Sequence, residues 1–413
     1  MTQTVASEAL PLQAGTSFSD LFQLGNDPYP IYHRMRAEDP VHWSPDVIQA
    51  WFIFRHADVL TIKEDDIRFS SSKVIPEFLK ADQRNTLWWV ESKGILFLDG
   101  VDHTRARRLV YKTFTPEWQE SMRPRINELA NALLDQVQDV GSMDVIADYA
   151  VPLTITQICD VLGTTCHDLK ILKQWSIDIF RGLDPITKPD LVERGHASAR
   201  QLIDYLRAGI RERAKNPQND LISAMLTVEE NGVKLTEDEI LGNLFQMYIG
   251  GHDEATNLIG NGVLALLRHP DQLDLLKQNP LLIEDAVEEF LRYDAPLLGI
   301  MRAATEDMHI GGKTIQEGQR VFLLYGAANR DPERFPDPDR LDITRRYSLH
   351  FSLGWGRHFC IGAKLGRLQA QVAINTLIQR LPNLRLNTDE LEWRKSFTIR
   401  ALNALPVAFT PGK

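Results

Sequence analysis

Apolar positions fall at helical spacing through most of the middle of this chain. "RPRINELANALLDQVQ", "HASARQLIDYLRAGIRERAK" and a long run from 236 to about 267 each predict a helix. The long run opens on Thr236, Glu237, Asp238 and Glu239, a capping box. It stops near "RHP" at Pro270, and at 1.5 Å per residue it spans roughly 45 Å, enough to cross a domain. Alternating and β-rich runs are confined to "VIQAWFIFRHADVL" and "HIGGKTIQEGQRVFLLYG". The second reads as a hairpin set turning at Gly311 and Gly312 and again at Glu317 and Gly318. A last helix starts just after Cys360 and runs to about Arg380. The expected fold is mainly α with a minor β part. No repeat, low-complexity tract or long linker divides the 413 residues, so one domain is expected. Within it, 1–27 is extended, 28–72 and 297–326 supply the β-rich part, and 73–296 and 327–400 are mostly helical.

Composition narrows the class. A formal charge of −10 argues against a nucleic-acid partner. No run of eighteen apolar residues suggests a membrane anchor, and the first residues lack the basic-then-apolar order of a signal peptide. Three cysteines are too few for a disulfide framework, so a cytoplasmic chain with reduced thiols is expected. Cys159 and Cys166 lie in helical sequence and read as core fillers.

Cys360 has different surroundings. In "LHFSLGWGRHFCIGAKLGRLQAQ" glycines at 354, 356 and 362 surround it just before a helix. Free N–H groups and the dipole at a helix start favour thiolate. The glycines permit turns and close approach that side chains would block, so the loop can lie flat against a planar group. Three readings stand: a ligand, a nucleophile activated by His358, or a structural cysteine in a glycine-rich turn.

The pattern Leu353-x-x-Gly356-x-x-x-Cys360-x-Gly362 resembles the haem-binding signature of the cytochrome P450 family, F-x-x-G-x-x-x-C-x-G, with Leu353 the one departure. The resemblance implies the P450 fold, with the long helix crossing over haem b. It makes Cys360 the axial thiolate ligand of the iron, held by Gly354, Gly356 and Gly362. Leucine in place of the usual phenylalanine implies a looser, more solvated thiolate. His103 and Arg107 in "DHTRARRLVYKTF", Arg302 in "MRAATED" and His358 match positions that meet the haem propionates. Glu289 and Arg292 in "EEFLRYDAP" match the family's E-x-x-R pair. The motif order makes Arg345 its third member, and Arg334 in "PERF" a decoy.

In "YIGGHDEATN", two glycines in mid-helix cost about 1 kcal/mol each relative to alanine. The segment resembles the family's oxygen-activation motif, which puts Gly251 against the cofactor and gives Asp253 and Glu254 the handling of protons. Glu254 stands where the family usually has threonine, and Thr256 is about 200° away around the helix. Glu254 could deliver protons itself, act as a base towards hydrogen peroxide, leave the work to a substrate hydroxyl, or turn away to pair with a cation.

By resemblance the chain is a monomeric monooxygenase, of the kind used in secondary metabolism. It would insert one oxygen atom from O2 by hydroxylation or epoxidation. The substrate would be small and hydrophobic, like a fatty acid, polyketide or terpenoid, and touched by Trp88, Trp89, Gln246, Ile249, Leu298, Ile300 and Phe397. Arg400 could meet a substrate carboxylate or form a salt bridge. Electrons would come from a ferredoxin and its NAD(P)H-dependent reductase, docked on Arg105, Arg108, Lys112, Arg357, Lys364 and Arg367. The rivals are peroxide-driven or non-hydroxylating oxidation (coupling, desaturation, decarboxylation) and a non-enzymatic haem sensor or carrier.

Overall fold

Thr236 and Glu239 begin the longest helix as a reciprocal pair. The Thr236 hydroxyl accepts from the Glu239 N–H at 3.2 Å, and the Glu239 carboxylate accepts from the Thr236 N–H at 2.8 Å. That arrangement satisfies two N–H groups a helix start otherwise leaves open. The computed structural model describes residues 27–45, 48–82, 84–165, 168–184, 187–346 and 349–412. All but residue 27 of the segment expected to be extended, and Cys166, lie outside them.

In chain order the helices that build the site are α1 (His56–Glu64), α2 (Thr86–Glu91), α3 (Gly100–Thr113), α4 (Val151–Leu162), α5 (Leu169–Leu183), α6 (Pro189–Lys215), α7 (Glu237–Arg268), α8 (Ile283–Tyr293) and α9 (Ala363–Arg380). The long helix α7 is apolar on nearly every side, from Ile240 and Leu244 to Val263 and Leu266, because other helices enclose it. It packs on α4, α8 and α9.

Residues 145–162 bear on the expectation of no membrane anchor. This 18-residue window has a mean hydropathy of 1.4, long and apolar enough to cross a membrane, yet 67% of it is buried inside the protein. Leu153, Ile155, Ile158 and Val161 of α4 are core side chains. The buried Cys159 lies among them.

The strands of the main sheet and of the hairpin beside it are β1 (Val41–Ser44), β2 (Ala50–Ile53), β3 (Phe69–Ser70), β4 (Gly299–Ala304), β5 (Met308–Ile310), β6 (Lys313–Ile315) and β7 (Arg320–Leu324). β5 and β6 form the expected hairpin, turning at Gly311 and Gly312 with φ of 53° and 77°. The second turn does something else. Gly318 (φ 81°) sends the chain into β7, which pairs with β4 and, in parallel, with β2. The main sheet therefore runs β1-β2-β7-β4-β3. It joins the two β-rich stretches of the sequence and holds Arg302, on β4, at the edge of the site.

Candidate active site

The Cys360 loop is shaped by two left-handed glycines. Gly354 and Gly356 have φ of 75° and 65°. A Cβ at either would come within 3.1 Å of the His358 carbonyl or 3.2 Å of the Lys63 carbonyl. The Cys360 N–H donates to the Leu353 carbonyl at 2.8 Å, closing the loop on itself. Gly362 contributes differently: its φ is an ordinary −87°, and its backbone N–H is directed at the Cys360 sulfur. The expectation of a depressed thiol pKa is corrected. Burial pushes the Cys360 thiol up and outweighs the Gly362 N–H and the positive charges of Arg107 and Arg367. Since α9 begins three residues beyond the cysteine, at Ala363, the helix end is too far to dominate. A coordinating metal ion deprotonates such a thiol outright.

Beside the loop, basic groups converge, and Asp66 and Asp99 offset only part of their charge. His103 and His358 stack at 4.1 Å, with their rings 30° apart. The His103 Nε2 and one terminal nitrogen of the buried Arg302, Nη2, are buried without a hydrogen-bond partner among the described residues. Lys63 of α1, which no motif marked, is buried in the same cluster. Burial and then the charge of Arg302 push its pKa down to about 6. His358 and His103 are likewise held below the ordinary histidine value by burial and neighbouring cations. Orphaned donors and mutually repelling cations call for two carboxylates, and the propionates of haem b fit. Cys360 agrees: it is enclosed by the protein yet open at its surface, as the ligand of a group seated beside it would be. Arg107 does something the motif does not announce. It donates to the Phe359 carbonyl at 2.5 Å and braces the cysteine loop.

Glu289 and Arg292 are completely buried and meet through two 2.7 Å contacts. Arg292 also donates to the carbonyls of Asn329, Pro338 and Arg340. Arg345 Nε reaches Glu289 at 3.3 Å. Arg334 instead lies over the Phe335 ring, with its guanidinium carbon 5.8 Å from the centroid.

On α7 the two glycines separate in role. A Cβ at Gly250 would meet only the Glu254 carboxyl, at 3.6 Å, so Gly250 and Glu254 share a face. A Cβ at Gly251 would strike Ile158 at 2.7 Å. Gly251 therefore serves the close packing of α7 on α4, which corrects its assignment to the cofactor. Asp253 points away from that face. Both its oxygens are held by Arg394, at 2.7 and 3.0 Å, beside a cavity of about 70 Å³ also lined by Lys173, Arg181 and His252. Arg394 keeps Asp253 ionised against burial. Glu254 has the opposite fate. Its Oε2 is buried with no partner among the described residues, and burial plus the charge of Asp253 push its pKa well up. The reading in which it pairs with a cation is not what this geometry contains. Its charge also raises the Cys360 thiol pKa.

Of the expected substrate contacts, Trp88, Gln246 and Ile300 are partly buried, while Trp89, Ile249 and Leu298 are buried. Phe397 belongs to an aromatic core with Phe52 and Phe322, at centroid distances of 5.6 and 4.6 Å. Arg400 donates to Asp294 at 3.1 Å and stacks on Trp393, which uses its charge internally. The six basic residues around the cysteine loop do not form a free positive patch. Each meets a carboxylate: Arg105 Glu239, Arg108 and Lys112 Glu230, Arg357 Asp66, Lys364 Glu120, and Arg367 Glu288.

A mainly helical fold that sets a cysteine loop opposite a long helix, with orphaned cations to one side, defines a haem-thiolate oxidoreductase. Comparison with known proteins gives the family. The cytochrome P450 family model matches residues 80–396, and the chain belongs to that family. It is 40% identical to the biotin biosynthesis cytochrome P450 of Bacillus subtilis (strain 168), over 93% of this chain and 96% of the relative. It is 38% identical to the vitamin D(3) 25-hydroxylase of Pseudonocardia autotrophica, over 96% of this chain and 98% of that one. The structure of P450BioI with acyl carrier protein carrying hexadec-9Z-enoic acid superposes with a TM-score of 0.88 at 39% identity, covering 95% of this chain and 99% of that one. The fold is thus the P450 fold, the cofactor is haem b, and the chain is a P450 monooxygenase.

Proposed function

We propose that the protein transfers one atom of O2 to a small, largely apolar molecule, as a monomer fed by a ferredoxin and an NAD(P)H-dependent reductase, and that Glu254 supplies a proton the family usually handles through threonine. Haem b supplies the iron at which dioxygen is reduced. Cys360 ligates that iron through sulfur, and His103, Arg302, His358 and Lys63 hold the propionates. Arg107 braces the loop. Asp253, fixed by Arg394, connects the back of α7 to the small polar cavity.

The observation that carries the reading is the Glu254 carboxyl: it lies over Gly250 in mid-helix, with Oε2 buried and without a partner among the described residues. Burial and the charge of Asp253 hold its pKa well above the ordinary carboxylate value, which favours the protonated form. A protonated carboxyl is an acid, whereas peroxide activation by a base needs the ionised form that burial opposes. Family membership supports the electron partner, whereas the basic residues expected to dock it are paired internally. The relatives named for biotin biosynthesis and vitamin D hydroxylation support an apolar substrate.

Glu254→Gln keeps the shape and removes the acid. It should lower product formed per NADH consumed by about 100-fold, within the range for general acid catalysis, while haem content stays unchanged. Glu254→Thr should recover much of the loss. Unchanged coupling in Glu254→Gln would make the residue a bystander.

A further inference from the structure

α2 ends on an acid that no cation neutralises. Glu91 is 2% exposed. Among the described residues its carboxyl is met by an amide: Gln246 Nε2 donates to Glu91 Oε2 at 3.0 Å and to the Glu91 carbonyl at 2.9 Å. The contact is braced on both sides. Gln246 Oε1 accepts from the Leu96 N–H, and Asn243 Oδ1 from the Ile95 N–H, each at 3.2 Å. Gly242 lets α7 approach this segment so closely that a Cβ would lie 2.6 Å from the Gly94 nitrogen.

Gln246, Gly250 and Glu254 follow at four-residue steps and so share one face of α7, over roughly 12 Å. Glu254 folds back over Gly250 towards Gln246, its Oε2 buried and unpartnered. That face therefore has carboxyls at both ends of a glycine gap, Glu91 on Gln246 and Glu254 over Gly250, and the charge of Glu91 acts on Glu254. Arg394, the cation acting on Glu254, is already bound to both oxygens of Asp253.

Holding α2 to α7 does not require an acid. A glutamine at 91 would accept the same Gln246 N–H without the penalty of burying an ionisable group. An acid is useful there when a cation arrives. We propose that Glu91 and Glu254 form the polar end of the substrate site, and that the substrate carries a protonated amine there, its apolar remainder lying along α7 beside Ile249. This rests on the monooxygenase reading of the pocket. A free carboxylate at that end would meet acids and no counter-ion, so an unesterified fatty acid does not enter head-first.

The test is calorimetric titration of the haem-loaded protein with three ligands sharing a twelve-carbon chain: dodecyltrimethylammonium, dodecanol and dodecanoate. The ammonium probe has the charge but no lone pair for iron. It should bind about tenfold or more tightly than dodecanol through the attraction of its charge alone, with dodecanoate weakest. Glu91→Gln, which keeps the Gln246 contact, should weaken the ammonium probe about tenfold and leave dodecanol within about twofold. Equal binding of the cation and dodecanol by the unaltered protein overturns the proposal without any variant. So does a Glu91→Gln protein that keeps the preference. Failure of the monooxygenase reading looks different: cation selectivity persists while no substrate is oxygenated.

Discussion

Lys63 is a case where position in space, not residue type, decides the role. In sequence it stands in "TIKED", indistinguishable from a solvated lysine. In the fold it is 6% exposed and surrounded by Arg302, His358 and His103, with Asp66 offsetting only part of their field. Nothing local could reveal this, because its neighbours come from β4, the cysteine loop and α3. The same holds for Glu91 and Arg394, whose partners on α7 lie more than a hundred residues away. By contrast, Cys360, Gly354 and Gly356 are legible because the whole loop is local and its left-handed turns demand glycine. Lys63→Met should preserve the fold and speed haem loss to apomyoglobin about tenfold, as expected for one charge-assisted contact. An unchanged rate would place the ammonium away from the propionates.

At the scale of elements, α7 and α9 are written almost completely in sequence. A capping box starts α7 and "RHP" stops it, and these are local rules. The sheet is not written this way. β2 and β7 pair in parallel across some 270 residues, which no turn signal encodes, and the glycine at 318 looks like one more hairpin turn until β4 takes the strand. Burial separates Glu289, at the heart of this junction, from Arg345 at its margin. Glu289→Gln leaves the completely buried Arg292 short of its counter-charge and should cost about 3–5 kcal/mol in chemical denaturation of the haem-loaded protein. Arg345→Met removes a partly exposed partner and should cost about 1 kcal/mol or less. The reverse order would mean that the ion pair is not what holds α8 to the 330–345 segment.

Across the whole molecule charge is paired on the surface and in much of the core, and unpaired groups gather at the site. The basic residues around the cysteine loop meet carboxylates, while His103, Arg302 and Lys63 on one side of the site, and Glu91 and Glu254 on the other, form no ion pair among the described residues. Internal groups left this way are expected where a bound molecule completes them: propionates for the cations, and a substrate amine for the acids. Both depend on sulfur from Cys360 reaching iron. The direct measurement is the absorption spectrum of the reduced, haem-loaded protein under carbon monoxide. The unaltered protein should show the strongly red-displaced Soret band of thiolate ligation, and Cys360→His should lose that displacement while retaining haem. A folded, haem-replete protein without the displaced band, or a Cys360→His variant that keeps it, would contradict the account.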